Sequence, residues 1–314
     1  MSDPTQLHPR VLAWYADAAR DLPWRTPGTS PWGVLVSEVM SQQTPVARVV
    51  PYWQEWMRTW PTPADLAAAA PADVVRAWGR LGYPRRALRL RESAQAILDR
   101  HDGDVPADAL ALRALPGIGE YTAAAVAVFA FGQRHSVVDV NVRRVLARAL
   151  GGTAEPAPSL TASERALAEV ALPADPPTAA TWSVAVMELG ALVCTARTPD
   201  CPGCPLLDVC AWQKNGRPAH TGPARRTQAW DGTDRQARGR ILALLREASV
   251  ADQAMLTSAW PHDDIQLRRA IDSLVADGLA ECAPDGLCLP GTAADVRQIG
   301  PDATTSTTRH PVRP

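Results

Sequence analysis

An all-α fold carrying a small helix-and-hairpin appendage is predicted by three observations. Apolar residues recur at helical spacing almost everywhere up to about residue 212. Pro and Gly clusters punctuate that pattern at helix-length intervals. No series of alternating strands and no fixed-period repeat interrupts it.

Taken in order, the spacing predicts helices near 8–20, 32–43, 46–58, 72–80, 85–101, 107–114, 119–131, 141–150, 161–171 and 178–193. Residues 1–212 therefore read as one helical domain that includes a cysteine-rich loop at 194–210. From 213 to 235 the chain turns polar, basic and Pro/Gly-bearing, which marks a linker. Residues 236–290 show "ARGRILALLREA", a short helix near 251–258, "DIQLRRAIDSLVADG" and the hairpin pattern "LAECAPDGLCLPG". Helix, helix, helix, hairpin is the order of a winged-helix-like module. The Thr/Pro/Ser-rich stretch 291–314 has the composition of a disordered tail.

At 314 residues the chain is long enough to bury a core without disulfide staples. It opens with no basic segment followed by an apolar run, and nothing approaches the roughly 18 apolar residues of a spanning helix, so a cytoplasmic protein with no membrane partner is expected. The net charge of −1 does not advertise a polyanion partner, but "RRALRLR" (85–91), "NVRRVLAR" (141–148) and the stretch from Lys214 to Arg240 are locally basic. Such patches follow a phosphate backbone or simply solvate a helix face. Lys214 is the only lysine, so any Schiff-base chemistry must use it or the terminal amine.

Four of the six cysteines stand in "CTARTPDCPGCPLLDVC": Cys194, Cys201, Cys204 and Cys210. Clustered thiols in a reducing compartment favour metal over disulfides. Zinc sites usually pair their ligands as two short knuckles, and only Cys201 and Cys204 form one here; the C-x6-C-x2-C-x5-C spacing alone leaves zinc and an iron–sulfur cluster both open. Cys282 and Cys288 are expected to be ordinary buried thiols.

Three further stretches carry chemistry. In "LPGIGEYTAAAV", Gly117 and Gly119 permit a tight turn whose backbone N–H groups open the next helix, an anion site built from donors and a helix dipole; a plain turn between helices is the other reading. In "GVLVSEVMSQQTPV", helical spacing gives Glu38 the neighbours Val34 and Leu35 one turn back and Ser41 and Gln42 one turn on. Apolar neighbours raise a carboxyl's pKa toward neutrality, as a general acid needs; an exposed glutamate with ordinary acidity is the alternative. Asp139, in "VVDVNVRR", stands where a helix N-cap would.

The ordered set "LPGIGEYTA", "VVDVNVRRVLAR" and the cysteine spacing resembles the helix-hairpin-helix base-excision glycosylases, which include endonuclease III and the MutY-type adenine glycosylases, over roughly residues 8–212. The resemblance implies a two-lobed helical fold and a [4Fe–4S] cluster on Cys194, Cys201, Cys204 and Cys210 that folds a loop presenting Arg197 to DNA. "LVSEVMSQQTPV" is similar to the MutY-type segment in which the acid, here Glu38, protonates adenine and the glutamines, here Gln42 and Gln43, line the base pocket. The same resemblance makes Asp139 the stabiliser of the sugar cation formed as the base leaves, with Asn141 positioning it, in the manner of two-carboxylate glycoside hydrolysis.

Reaching that bond requires extruding the nucleotide from the duplex. In "GRLGYPRRA" Tyr83 matches a family tyrosine that contacts the lesion guanine opposite; helix-end packing is its other reading. Tyr121 stands where bifunctional relatives carry a lysine that cuts the strand, so base removal with little strand cleavage is implied. Two departures are visible: Val140 replaces a small residue, and Pro84 replaces a second aromatic. The segment after 212 has no match to the nudix-like domain that reads 8-oxoguanine in many MutY-type enzymes.

The expected function is thus a monomeric, nucleoid-associated adenine glycosylase acting on double-stranded DNA with adenine opposite 8-oxoguanine or guanine. A thymine/uracil mismatch glycosylase and an inactive iron–sulfur DNA-binding regulator are the alternatives.

Overall fold

Local capping chemistry starts most of the helices. Ser30, Asp108, Asp139, Asp175, Thr233, Asp252 and Asp263 each accept a backbone N–H of the first turn that follows, and Pro31 and Pro176 stand at first-turn positions that need no donor. The computed structural model describes residues 3–222 and 230–292. Most of the expected tail (291–314) and the middle of the expected linker lie outside the described residues.

The described helices are α1 (Leu7–Ala18), α2 (Pro31–Ser41), α3 (Val46–Thr59), α4 (Pro63–Ala68), α5 (Pro71–Trp78), α6 (Arg85–His101), α7 (Ala109–Arg113), α8 (Glu120–Phe131), α9 (Val140–Ala149), α10 (Ala162–Val170), α11 (Pro176–Leu192), α12 (Ala211–Lys214), α13 (Asp234–Glu247), α14 (Gln253–Ala259) and α15 (Asp264–Ala276). One antiparallel hairpin, β1 (Glu281–Ala283) with β2 (Gly286–Cys288), completes them. The predicted all-α class holds. The spacing did not separate α4, yet Thr62 and Asp65 form a reciprocal capping box around its first turn.

The chain divides into two units: residues 1–69 with 80–227, and residues 70–79 with 228–314. In the first, one core joins Leu7 and Val11 of α1, Val142, Val145 and Leu146 of α9, and Trp182, Ala185 and Leu189 of α11. Leu206 and Val209, inside the cysteine loop, are buried in that same core. Withdrawing an apolar side chain of this size from water contributes about 1.5–3 kcal/mol, so the loop is anchored by packing as well as by its thiols. α2 packs on α8 and α9 on α11. From Trp32 to Met40 every residue of α2 is buried except Glu38, which is partly exposed.

The second unit is built from α5, α13–α15 and the hairpin. Ala251, between α13 and α14, exchanges backbone hydrogen bonds of 2.8 and 2.9 Å with Leu287 and so adds a bridge to the hairpin. Trp260 is buried, and its indole donates to Gln266 Oε1 at 3.0 Å. Val74, Val75 and Trp78 of α5 are buried, and Arg246 Nε donates to the Val75 carbonyl at 3.3 Å. Of the two downstream cysteines Cys288 is buried, but Cys282 is exposed, contrary to expectation. In the hairpin register Cys282 lies opposite Leu287 and Cys288 opposite Glu281, so the two thiols occupy opposite faces.

Candidate active site and cysteine loop

Glu38 is the single carboxylate on the buried stretch of α2, and α8 brings Tyr121 against it. The Tyr121 phenol donates to Glu38 Oε2 at 3.1 Å. Burial pushes the Glu38 carboxyl up to about 7; the negative charge of Asp139 adds to the rise, while the Tyr121 hydrogen bond and Arg25 oppose it. Burial and the two nearby carboxylates hold the Tyr121 phenol well above its usual range, so it remains a donor. Glu38 and Asp139 therefore share one electrostatic environment.

Asp139 caps α9 and is more than a cap. Its Oδ1 accepts from Val142 N at 2.7 Å, and its Oδ2 accepts from Asn141 Nδ2 at 2.7 Å. Burial raises the Asp139 pKa above the usual carboxylate range, while these hydrogen bonds and the charge of Arg144 restrain the rise. Asn141 is held in turn by buried Arg144, whose Nη2 donates to Asn141 Oδ1 at 2.7 Å and to the Gly190 carbonyl at 2.6 Å. Arg144 Nε donates to the Cys194 carbonyl at 2.7 Å, so one guanidinium spans from the acid's partner to the cysteine loop. Gly190 permits the close crossing of α9 and α11: a Cβ there would lie 2.7 Å from Asn141 Cβ.

Of the remaining candidates, Gln42 Nε2 donates to Thr122 Oγ1 at 3.1 Å, beside Tyr121 on α8. Gln43 is exposed with φ +55°, and Tyr83 is 46 % exposed with φ +47°. Gly117 takes φ +77°, where an added Cβ would stand 2.8 Å from Arg89 Cβ; Gly119 caps α8 in extended backbone with open space around it. Both glycines are exposed, so the turn offers the first-turn N–H groups of the helix that carries Tyr121.

Sequence reasoning missed a second glutamate. Glu188, fully buried on α11, accepts from Arg20 at 2.6 and 2.8 Å and from Arg25 at 3.0 Å, and its carboxyl is held down at about 2. Arg25 Nη1 is buried without a hydrogen-bond partner, and the Arg25 charge reaches Glu38. Its Nη1 is an unspent donor. A charged residue inside the apolar pattern "SVAVMELGALV" was the available signal.

Cys194, Cys201, Cys204 and Cys210 line one cavity together with Arg148, Val193, Leu207 and Trp212. Arg148 Nη1 donates to Cys194 Sγ at 3.3 Å, and its guanidinium lies 4.9 Å from the Trp212 ring centroid. Among the described residues no three His, Cys, Asp or Glu side chains are grouped to hold one metal ion. Four thiols and one cation around a single cavity, with Asp200 and Gln213 also on its wall, fit the donor set of a multi-iron cluster. Arg197, in the same loop, is exposed.

The HhH-GPD superfamily base excision DNA repair profile matches residues 36–170, the span that contains Glu38, the glycine turn and Asp139. An adenine DNA glycosylase of Mycobacterium tuberculosis is 55 % identical over 284 residues, covering 90 % of this chain and 92 % of that protein. The chain belongs to the adenine DNA glycosylases of the HhH-GPD superfamily. A thymine/uracil-DNA glycosylase of Pyrobaculum aerophilum is 34 % identical over 220 residues, 68 % of this chain and 95 % of that protein. The superfamily fold is also that of a trapped endonuclease III–DNA covalent intermediate, with TM-score 0.59 and 25 % identity over 69 % of this chain and 99 % of that one. Like that relative from M. tuberculosis, this HhH-GPD member carries its similarity well past residue 212.

Proposed function

We propose that this chain is a monofunctional glycosylase that removes adenine mispaired with 8-oxoguanine or guanine in duplex DNA. The observation that carries the reading is the Tyr121–Glu38 hydrogen bond within electrostatic reach of Asp139, in a chain 55 % identical to an adenine DNA glycosylase. In this reading the nucleotide leaves the stack, at a cost of a few kcal/mol, and brings its base to Glu38. Glu38, with its acidity near neutrality, delivers a proton to the adenine ring and makes it a better leaving group. Asp139, oriented by Asn141 and Val142, faces the positive charge that develops on the sugar. Tyr121 donates a hydrogen bond to Glu38 and supplies no amine, which supports base removal without strand scission.

Gln42, Gln43 and Tyr83 are assigned to reading the extruded base and its opposite partner, and the Gly117–Gly119 turn to gripping the phosphate backbone. A [4Fe–4S] cluster is assigned to Cys194, Cys201, Cys204 and Cys210; when bound it would cross-link the loop and take no part in bond breaking. Between 230 and 292 ten Asp and Glu stand against six Arg, which supports a structural part for the winged-helix-like module over a phosphate-binding one.

The test is single-turnover base release from duplexes with A opposite 8-oxoguanine, A opposite G, and T or U opposite G, with and without alkali. Adenine release that Glu38→Gln abolishes, with strand breaks only after alkali, is expected. Release of thymine or uracil instead would favour the chemistry of the Pyrobaculum relative, and binding without release would favour a regulator. Iron and acid-labile sulfide measured on the purified protein test the cluster, with Cys201→Ser expected to lose both.

A further inference from the structure

Arg86 stands in the first turn of α6, where a cation opposes the helix dipole. Its surroundings explain the placement. Nη1 donates to the carbonyls of Val39 at 2.6 Å and Gln42 at 2.7 Å, with a longer contact to Met40 at 3.4 Å. The Val39 and Met40 carbonyls belong to the last turn of α2, which its own hydrogen bonds leave unsatisfied, so Arg86 is the C-terminal cap of the helix that carries Glu38. Nη2 donates to the Gly82 carbonyl at 3.1 Å, and the guanidinium lies 5.5 Å from the Tyr83 ring centroid. Thr44 adds a parallel tie, its Oγ1 donating to the Leu81 carbonyl at 3.0 Å and accepting from Arg86 Nη2 at 3.4 Å.

A second, independent observation lies in the backbone. Among the described residues only Gln43, Tyr83, Asp102 and Arg217 take positive φ without being glycine. Two of the four sit in the two segments that Arg86 joins. Left-handed backbone at a side-chain-bearing residue is strained and persists only where the surroundings fix it. Gln43 and Tyr83 are both exposed, so this strain does not serve core packing.

We propose that Arg86 is a positioning residue for substrate discrimination, clamping the Tyr83 turn to the C-terminal end of α2 so that the group reading the opposite base and the helix bearing Glu38 move as one piece. The proposal rests on the adenine-glycosylase reading. Its substrate class is duplex DNA in which the base opposite adenine carries, or lacks, the 8-oxo group.

The experiment compares single-turnover adenine release from A opposite 8-oxoguanine and A opposite G for the wild type, Arg86→Lys, Tyr83→Ala and the double variant. Lysine keeps the charge but cannot reach the α2 carbonyls and the Tyr83 ring together. The expected result is a preference for 8-oxoguanine about tenfold lower in Arg86→Lys, with no further loss when Tyr83→Ala is added. A preference retained within about twofold, or equal losses on both duplexes, overturns the proposal, because a merely structural role slows both substrates alike. Should Arg86→Lys not fold, Thr44→Val removes the parallel tie and is expected to lower the preference about threefold; an unchanged preference overturns the proposal there too. A wild type that releases no adenine defeats the proposed function itself. A wild type that releases adenine without preferring 8-oxoguanine defeats this inference alone.

Discussion

The phenolic oxygen of Tyr121 donates to Glu38 Oε2 at 3.1 Å, joining α8 to α2 at the one acid that the apolar stretch of α2 carries. This bond favours the ionised carboxylate and so works against the burial that raises its pKa. Tyr121→Phe should therefore raise the Glu38 pKa above its value of about 7. If Glu38 must be protonated to act, base release falls as pH rises through about 7 in the wild type, and this limb moves to higher pH in the variant. Single-turnover rates between pH 5 and 9 check it; a limb that moves down, or none near neutrality, would refute the assignment.

Two glutamates should respond to neutralisation in opposite directions. The Glu38 pKa is raised in the fold from 4.5 to about 7, so its ionisation costs stability as pH rises through that window. Glu38→Gln should gain melting temperature at pH 8 and gain little at pH 5. The Glu188 pKa is depressed from 4.5 to about 2, so it contributes stability above pH 4.5 that is lost as pH falls toward 2. Glu188→Gln should cost about 3 kcal/mol at pH 7, since two arginines lose their carboxylate, and the gap should narrow below pH 4.5. Thermal melts across pH for both variants decide the signs.

Arg144 holds Asn141, the Gly190 carbonyl and the Cys194 carbonyl with one guanidinium. Arg144→Lys can keep the charge and one acceptor but not all three. Adenine release is expected to slow by about tenfold or more, and the iron of the proposed cluster is expected to fall because the Cys194 carbonyl loses its shorter hydrogen bond. Rate and iron per chain measured on one preparation provide the check; a normal rate shows that Asn141 holds Asp139 unaided.

Gly190→Ala should destabilise the first unit by about 1–3 kcal/mol, the usual penalty of overpacking. The added methyl would meet Asn141 Cβ at 2.7 Å and its carbonyl oxygen at 2.8 Å, and these are parts of a helix that cannot yield alone. Urea unfolding monitored by tryptophan fluorescence checks the loss. An unchanged midpoint would mean that α9 and α11 separate freely.

The legible part of this molecule is the part written locally. α6 runs over the predicted 85–101, because its apolar spacing is regular and the chain reverses immediately after it in a left-handed residue, Asp102. Asp139 could be read both as a cap and as a site residue, and its two oxygens do both. What stayed hidden depends on partners far along the chain. Arg20 and Arg25 stand 168 and 163 residues from Glu188, and no periodicity announces such a pairing. Arg86 looked like one arginine in a basic run. Only the α2 carbonyls, more than forty residues earlier, give it a task. Cys282 and Cys288 look alike in sequence, yet the hairpin register puts them on opposite faces, one thiol exposed and the other buried.

The second unit borrows α5 from the middle of the first unit's sequence. A chain halted near residue 222 by a nonsense codon or a protease would keep every residue assigned here to chemistry, yet leave α5 without the rest of its unit and the Val75 carbonyl without Arg246. Such a fragment should be sticky before it is inactive, so the second unit guards solubility even where it touches no DNA.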